Sequence, residues 1–156
     1  DWAKFLHERL DSTSAEAPLS GVEASGWKVI YNSTPSRSVR QRFGGAVNAA
    51  YSIGLTVAGN GQVFDSIWNG PAFKAGVTPG MKVLGVNGRT FTSERLDEAI
   101  KESPTTPVQL LVENDDYYKT VTIDYNGGPR YPHLERIPNV PDYLDSNVLK
   151  ARATHE

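Results

Sequence analysis

A short run near the middle of the chain, Ile53-Gly54-Leu55, most constrains what this sequence can fold into. A glycine between two aliphatic residues, immediately before a strand, leaves consecutive backbone N–H groups that no neighbouring strand takes. Such donors bind a terminal carboxylate, and the strand beside them can accept an extended peptide along its edge. Alone, the triplet is more often an ordinary strand start with a glycine bulge, so its meaning depends on the elements around it.

The elements predicted after this triplet come in an informative order. Turn signals at Gly59-Asn60-Gly61 and Asn87-Gly88 separate runs with strand or helix periodicity. A Pro-initiated segment that ends at Gly76 is typical of a short capped helix. The pattern predicts strands over residues 53–57, 62–67, 82–86, 107–113 and 119–125, and helices over residues 71–74 and 93–101. We therefore expect an α+β fold with mostly antiparallel pairing.

The flanks differ from this central part. Asp1 can cap a helix that places Trp2, Phe5, Leu6 and Leu10 at helical spacing. A short helix over 19–24, a strand over 27–31 and a mobile loop over 34–45 follow. The end of the chain is proline-rich and is expected to lie extended or to fray. The predicted organisation is an extension over 1–45, a central domain over 46–126 and a tail over 127–156.

Composition excludes several classes of function. The 156 residues carry a net charge of −2 without a cluster of Lys and Arg, so nucleic-acid binding through phosphate contacts is not expected. Cysteine is absent, which excludes disulfides and thiolate metal sites. No apolar run approaches the roughly 20 residues that a membrane span needs, so we expect no membrane partner. Because the chain begins at Asp1 rather than Met, we expect a processed or excised fragment.

Catalytic patterns are missing from the sequence. His7-Glu8 begins like a zinc-binding His-Glu-x-x-His helix, but the position four residues after His7 is Asp11. His133 and His155 lie in the tail without a second ligand at helical or turn spacing. No Gly-x-Ser-x-Gly elbow occurs. We therefore expect no catalytic residue, no metal site and no cofactor in this chain.

The triplet, the Pro71-Ala72-x-x-Ala75-Gly76 helix and the order of strands together resemble a PDZ domain, and most of all the bacterial type attached to proteases. The resemblance implies a partly open antiparallel barrel or sandwich of five or six strands capped by two helices. It also implies a ligand, the C-terminus of a peptide or protein, that lies antiparallel to the strand over 53–57 and beside the helix over 93–101.

The resemblance assigns roles to individual positions of that furrow. The amides of Ile53, Gly54 and Leu55 would receive the ligand carboxylate. Asp97 would favour a basic or hydrogen-bond-donating side chain in the ligand. The implied furrow residues are Thr56, Val57, Ser93, Asp97 and Ile100.

The flanks extend the resemblance. The aromatic helix at the start, the Pro18-Leu19 helix and the tail run Tyr131-Pro132-His133-Leu134-Glu135-Arg136 are together similar to the C-terminal region of glycyl aminopeptidases, a family of zinc metallopeptidases with a PDZ domain. The family's zinc helix is missing here, so no catalytic residue is carried over. The resemblance implies an accessory region of a periplasmic or secreted peptidase, with the catalytic domain of the parent chain as a partner.

A second interpretation stays open at this point. The furrow is then filled within the protein, either by residues 129–147 or by another subunit, and the domain is a structural or oligomerisation interface.

Overall fold

The computed structural model describes residues 1–11, 13, 19–37, 39 and 45–150. It divides into two compact units, one formed by Asp1–Val29 with Leu134–Glu156 and the other by Ile30–His133. The predicted central domain over 46–126 lies within the second unit, and the assignment of 1–45 and 127–156 as separate extensions stays a prediction.

In chain order the elements are α1 (Trp2–Leu10), α2 (Ser20–Ala24), β1 (Trp27–Asn32), β2 (Val47–Ala49), β3 (Leu55–Val57), β4 (Val63–Ser66), α3 (Pro71–Lys74), β5 (Lys82–Val86), β6 (Arg89–Thr90), α4 (Ser93–Glu102), β7 (Val108–Asn114), β8 (Tyr117–Ile123), β9 (Tyr131–Arg136) and a π-helical turn (Asp145–Leu149).

The strands form three separate sheets. One has the order β2-β3-β4, a second has the order β6-β5-β7-β8, and β1 pairs with β9. The pairs whose register is resolved in the first two sheets are antiparallel. The α+β class is thus confirmed, whereas the described residues form no closed barrel.

The core of the second unit lies between these sheets and α4. Alternate residues of β7 are buried, as expected of a strand with one face against a core. Helix α4 begins after Thr92, whose side chain accepts a hydrogen bond from Arg95 N at 3.2 Å. It buries Leu96, Ala99 and Ile100, in agreement with the predicted apolar side of this helix.

Helices and hairpins of the central part lie close to their predicted positions, but three strands were not expected. β2 and β6 are only three and two residues long, too short for periodicity to indicate them. β9 lies in the tail that was expected to be extended or frayed. The predicted mobile loop over 34–45 lies partly outside the described residues.

Within the first unit, Arg136 makes several of the contacts that hold the tail. The Arg136 guanidinium lies over the Trp27 ring, 5.5 Å from its centroid, and its Nε lies 3.4 Å from a carboxylate oxygen of Asp142. Asp142 also accepts a hydrogen bond of 2.9 Å from Trp27 Nε1, and Arg136 donates to the carbonyls of Gly26 and Val140. These bonds explain why a proline-rich segment is ordered here.

Candidate functional site

Strand β3, which was expected to offer a free edge to a ligand, is the middle strand of its sheet. On one side it pairs with β4, with Leu55 opposite Ser66. On the other side it pairs antiparallel with β2, which places Val57 opposite Val47 and Leu55 opposite Ala49. Neither edge of β3 is therefore open, and a peptide could add to this strand only by taking the place of a neighbour.

The backbone donors of the preceding loop are also engaged. Gly54 N donates to the carbonyl oxygen of Ala49 at 2.9 Å, and Ser52 N donates to the same oxygen at 3.0 Å. The expectation that these amides are unclaimed does not hold for Gly54 in this structure. The physical reason is the tight turn between β2 and β3, which brings the last carbonyl of β2 to the position expected for a ligand carboxylate.

Helix α4 contacts the segment over 45–49, which includes β2. Ser93 Oγ, at the first position of the helix, donates to the carbonyl oxygen of Gly45 at 2.8 Å. α4 packs against β2, and the side chains of Val47 and Ala49 are each only 3% exposed. Residues 45–49 thus occupy the furrow between β3 and α4. The second interpretation expected residues 129–147 or another subunit in the furrow, whereas the segment found there precedes the loop. Its conclusion, a structural or oligomerisation interface, stays a prediction.

The furrow residues assigned by the resemblance separate into two groups. Ile53, Leu55, Val57 and Ile100 are buried and belong to the hydrophobic core cluster. Thr56, Ser93 and Asp97 keep part of their surface accessible. The structure brings these two groups to one furrow, with β2 lying between β3 and α4.

One small cavity remains open beside the filled part of the furrow. Its volume is about 110 Å³, and Asp97 of α4 and Tyr131 of β9 both line it. Burial raises the pKa of Asp97; the Lys101 charge opposes this shift and the Glu94 charge adds to it. Burial also raises the pKa of Tyr131, and the negative charge of Asp97 adds to that effect. The remaining lining residues are Ser33, Pro35, Ala49, Ser52, Ile100, Lys101 and Pro129.

Asp97 gives a prediction for the pH dependence of stability. The Asp97 carboxyl binds a proton more tightly in the folded than in the unfolded protein. Its contribution to stability therefore falls as pH rises from its ordinary pKa of 3.8 through the higher folded pKa. Asp97→Asn removes this loss, so we expect the variant to gain stability relative to wild type between pH 3 and pH 7. Urea denaturation at both pH values measures the difference.

Glu98→Gln is the matched control for this prediction, because Glu98 is an exposed carboxylate on the same helix. It should change stability little at either pH. An Asp97→Asn variant that loses stability relative to wild type as pH rises would contradict the role of burial.

The histidines lie in ordinary local contacts. His7 Nδ1 is 3.6 Å from an oxygen of Asp11 on an exposed helix face, and His133 Nε2 is 2.7 Å from the carbonyl oxygen of Thr34. His155 lies outside the described residues.

Within the part of the chain that the structure describes, no three or more His, Asp or Glu side chains form a group that could hold a metal ion. Within the same described residues, no helix has the length and hydropathy of a membrane span.

Sequence reasoning missed β2 and the role of Ser52. The signal for β2 was weak: two small aliphatic residues, Val47 and Ala49, separated by Asn48, directly before the loop. Ser52 is 7% exposed, and its Oγ accepts a hydrogen bond of 3.0 Å from Arg130 N. Nothing in the local sequence around Ser52 indicated this long-range bond.

Comparison with known proteins was informative only at the level of structure. No protein-family model matches the chain, and no curated protein matches it. A crystal structure of an aminopeptidase N family protein from Idiomarina loihiensis matches 92% of this chain with a TM-score of 0.59 and 17% identity. This chain spans 25% of the length of that protein. A crystal structure of the HtrA3 PDZ domain bound to a phage-derived ligand matches 70% of this chain and 91% of its own, with 19% identity and a TM-score of 0.38. The chain thus shares its fold with part of an aminopeptidase N family protein.

Proposed function

We propose that this chain is a non-catalytic, PDZ-like accessory module of a longer aminopeptidase-like protein, and that it binds an extended peptide or a C-terminal carboxylate between β3 and α4. The observation that carries the proposal is the position of β2. It lies extended and antiparallel to β3, and its last carbonyl accepts two loop N–H groups. Because the furrow already contains β2, an extended segment of this chain, its shape suits an extended peptide.

The chemistry of the loop favours a chain end over an internal segment. The Ala49 carbonyl is neutral, whereas a terminal carboxylate carries a full charge at the same two donors. Hydrogen bonds to charged groups contribute about 1.5–3 kcal/mol each, roughly twice the neutral value. Desolvation and ordering of the peptide offset much of this gain, so micromolar affinity is expected.

The accessory role is supported by the extent of the structural match. The aminopeptidase N family protein aligns with 92% of this chain, although this chain spans only 25% of that protein. In a longer protein of this kind, the remainder of the chain would include the catalytic domain, which we propose as a partner. The sequence lacks a His-Glu-x-x-His helix, so the module itself is proposed to be non-catalytic. Release of amino acids from peptides by this chain in the presence of zinc would contradict that part of the proposal.

A structural role is the second candidate, and the burial of β2 favours it. Val47 and Ala49 are 3% exposed and belong to the same core cluster as Leu55 and Ile100. If β2 never leaves the furrow, the domain acts as a rigid interface for the rest of the longer protein.

Peptide binding separates the two candidates. We expect a mixed library of fluorescent five-residue peptides with free carboxylates to bind the chain, and the same library prepared as C-terminal amides to bind at least tenfold more weakly, as measured by fluorescence anisotropy. Absence of binding by either library would support the structural role. Equal binding of acids and amides would contradict a carboxylate site at the loop.

A further inference from the structure

We infer that Asn126 is a site of spontaneous deamidation, where attack by the Gly127 nitrogen and then by water converts the side-chain amide to a carboxylate. The site lies in the connection between β8 and β9 and involves no residue assigned to the furrow. The inference therefore does not depend on the proposed function.

The sequence contains four Asn-Gly pairs, and this dipeptide offers the least steric hindrance to the reaction. Glycine has no Cβ, so its nitrogen can approach the preceding asparagine side chain closely. The pairs are Asn60-Gly61, Asn69-Gly70, Asn87-Gly88 and Asn126-Gly127. The dipeptide itself does not distinguish them, but their hydrogen bonds in the folded protein do.

Three of the pairs are held by hydrogen bonds that oppose the attack. Gly61 N and Gly70 N each donate a bond of 2.9 Å to the carbonyl three residues earlier in their own turn. Asn87 Oδ1 accepts a bond of 2.8 Å from Gln109 N. In each case the attacking nitrogen or the attacked side chain must first leave its partner through a local opening.

The fourth pair has no such protection. Asn126 and Gly127 are both exposed. Within the part of the chain that the structure describes, neither the Asn126 side chain nor the Gly127 amide has a hydrogen-bond partner. The folded protein therefore leaves both reacting groups available.

Packing of Tyr125 explains why a larger residue does not shield this amide. A Cβ at Gly127 would lie 2.6 Å from Tyr125 Oη. That hydroxyl is held in place, because it donates a hydrogen bond of 2.7 Å to the Gly128 carbonyl. The same packing that favours glycine at position 127 thus keeps the reactive dipeptide.

The reaction needs only water as a second reactant. The Gly127 nitrogen bonds to Cγ of Asn126 and gives up its proton, the Cγ–Nδ2 bond breaks, and ammonia leaves. Water then opens the resulting succinimide ring. Breaking the bond between the ring nitrogen and Cγ gives aspartate, whereas breaking the bond to the main-chain carbonyl carbon gives isoaspartate.

The isoaspartate product should disturb the connection more than the aspartate product does. Gly128 N donates a hydrogen bond of 3.0 Å to Oγ of Ser103, which is only 4% exposed. Isoaspartate adds a carbon to the main chain just before this bond, whereas aspartate adds a charge alone. We expect aged protein rich in isoaspartate to unfold at a lower urea concentration than the Asn126→Asp variant. Equal urea midpoints would contradict this consequence.

The test follows all four pairs in the whole chain during incubation at neutral to mildly alkaline pH, by proteolysis and peptide mass spectrometry. In the folded protein, Asn126 is expected to deamidate at least about tenfold faster than the other three, because each of those must first break a hydrogen bond. In concentrated urea the four rates should converge. Asn126→Gln is the matched control and should keep its amide, since glutamine would have to form a larger ring.

Two outcomes would overturn the inference. One is an Asn126 that deamidates no faster than the other three asparagines in the folded protein. The other is a faster rate at Asn126 that persists unchanged in urea, because the local sequence and not the fold would then select the site.

Discussion

Replacing Leu96 by alanine is expected to lower the free energy of unfolding by about 2–5 kcal/mol, the range for large-to-small changes in cores. Leu96 is fully buried, with 0% exposure, on the inner face of α4. Its loss leaves a cavity under the helix that forms one wall of the furrow. Chemical denaturation followed by far-UV circular dichroism measures the change.

Leu111→Ala is the matched control for this substitution. Leu111 lies on β7 but is 39% exposed, so the same change should cost about 1 kcal/mol or less. Similar losses for the two variants would contradict the placement of α4 against the core.

Gly61→Ala is expected to be the most damaging glycine substitution in the β3–β4 turn, at about 3 kcal/mol or more. Gly61 has a φ of +90°, a conformation that costs other residues about 1–3 kcal/mol. In addition, a Cβ at this position would overlap the carbonyl oxygen of Val83 in β5. Gly61 also accepts a hydrogen bond of 2.7 Å from Val83 N, so the overlap falls where the turn contacts the second sheet. Thermal and urea unfolding measure the loss.

Gly80→Ala separates the two causes. Gly80 has a similar φ of +94°, but a Cβ there would have no neighbour within 4 Å. It should therefore show the backbone cost alone, and Gly61→Ala should exceed it by at least about 1 kcal/mol, as expected for added steric strain in a packed site. Equal costs would show that the close approach to Val83 does not restrict this turn.

Elements with strong local signals could be predicted from the sequence. The turn at Asn87-Gly88 takes positive φ values of 46° and 76°, as an Asn-Gly hairpin requires. Pro71 begins α3, and Gly76 follows it with a φ of +86°. In each case the residue type restricts the backbone by itself, so tertiary context was not needed.

The content of the furrow could not be predicted in the same way. β2 has only three residues, and it packs against α4, which lies more than forty residues further along the chain. The order of strands and helices is compatible with an empty furrow and with a filled one. Likewise, β9 includes Pro132 in a segment whose composition indicated an extended tail. Long-range pairing decides both cases, and local propensity contains little information about it.

Nuclear magnetic resonance on the peptide-free chain provides the most direct test of the filled furrow. The structure predicts cross-strand signals between Val47 and Val57 and between Ala49 and Leu55, together with slow hydrogen exchange of the Gly54 amide. Absence of these cross-strand signals, with a Gly54 amide that exchanges as fast as in an unstructured peptide, would contradict it.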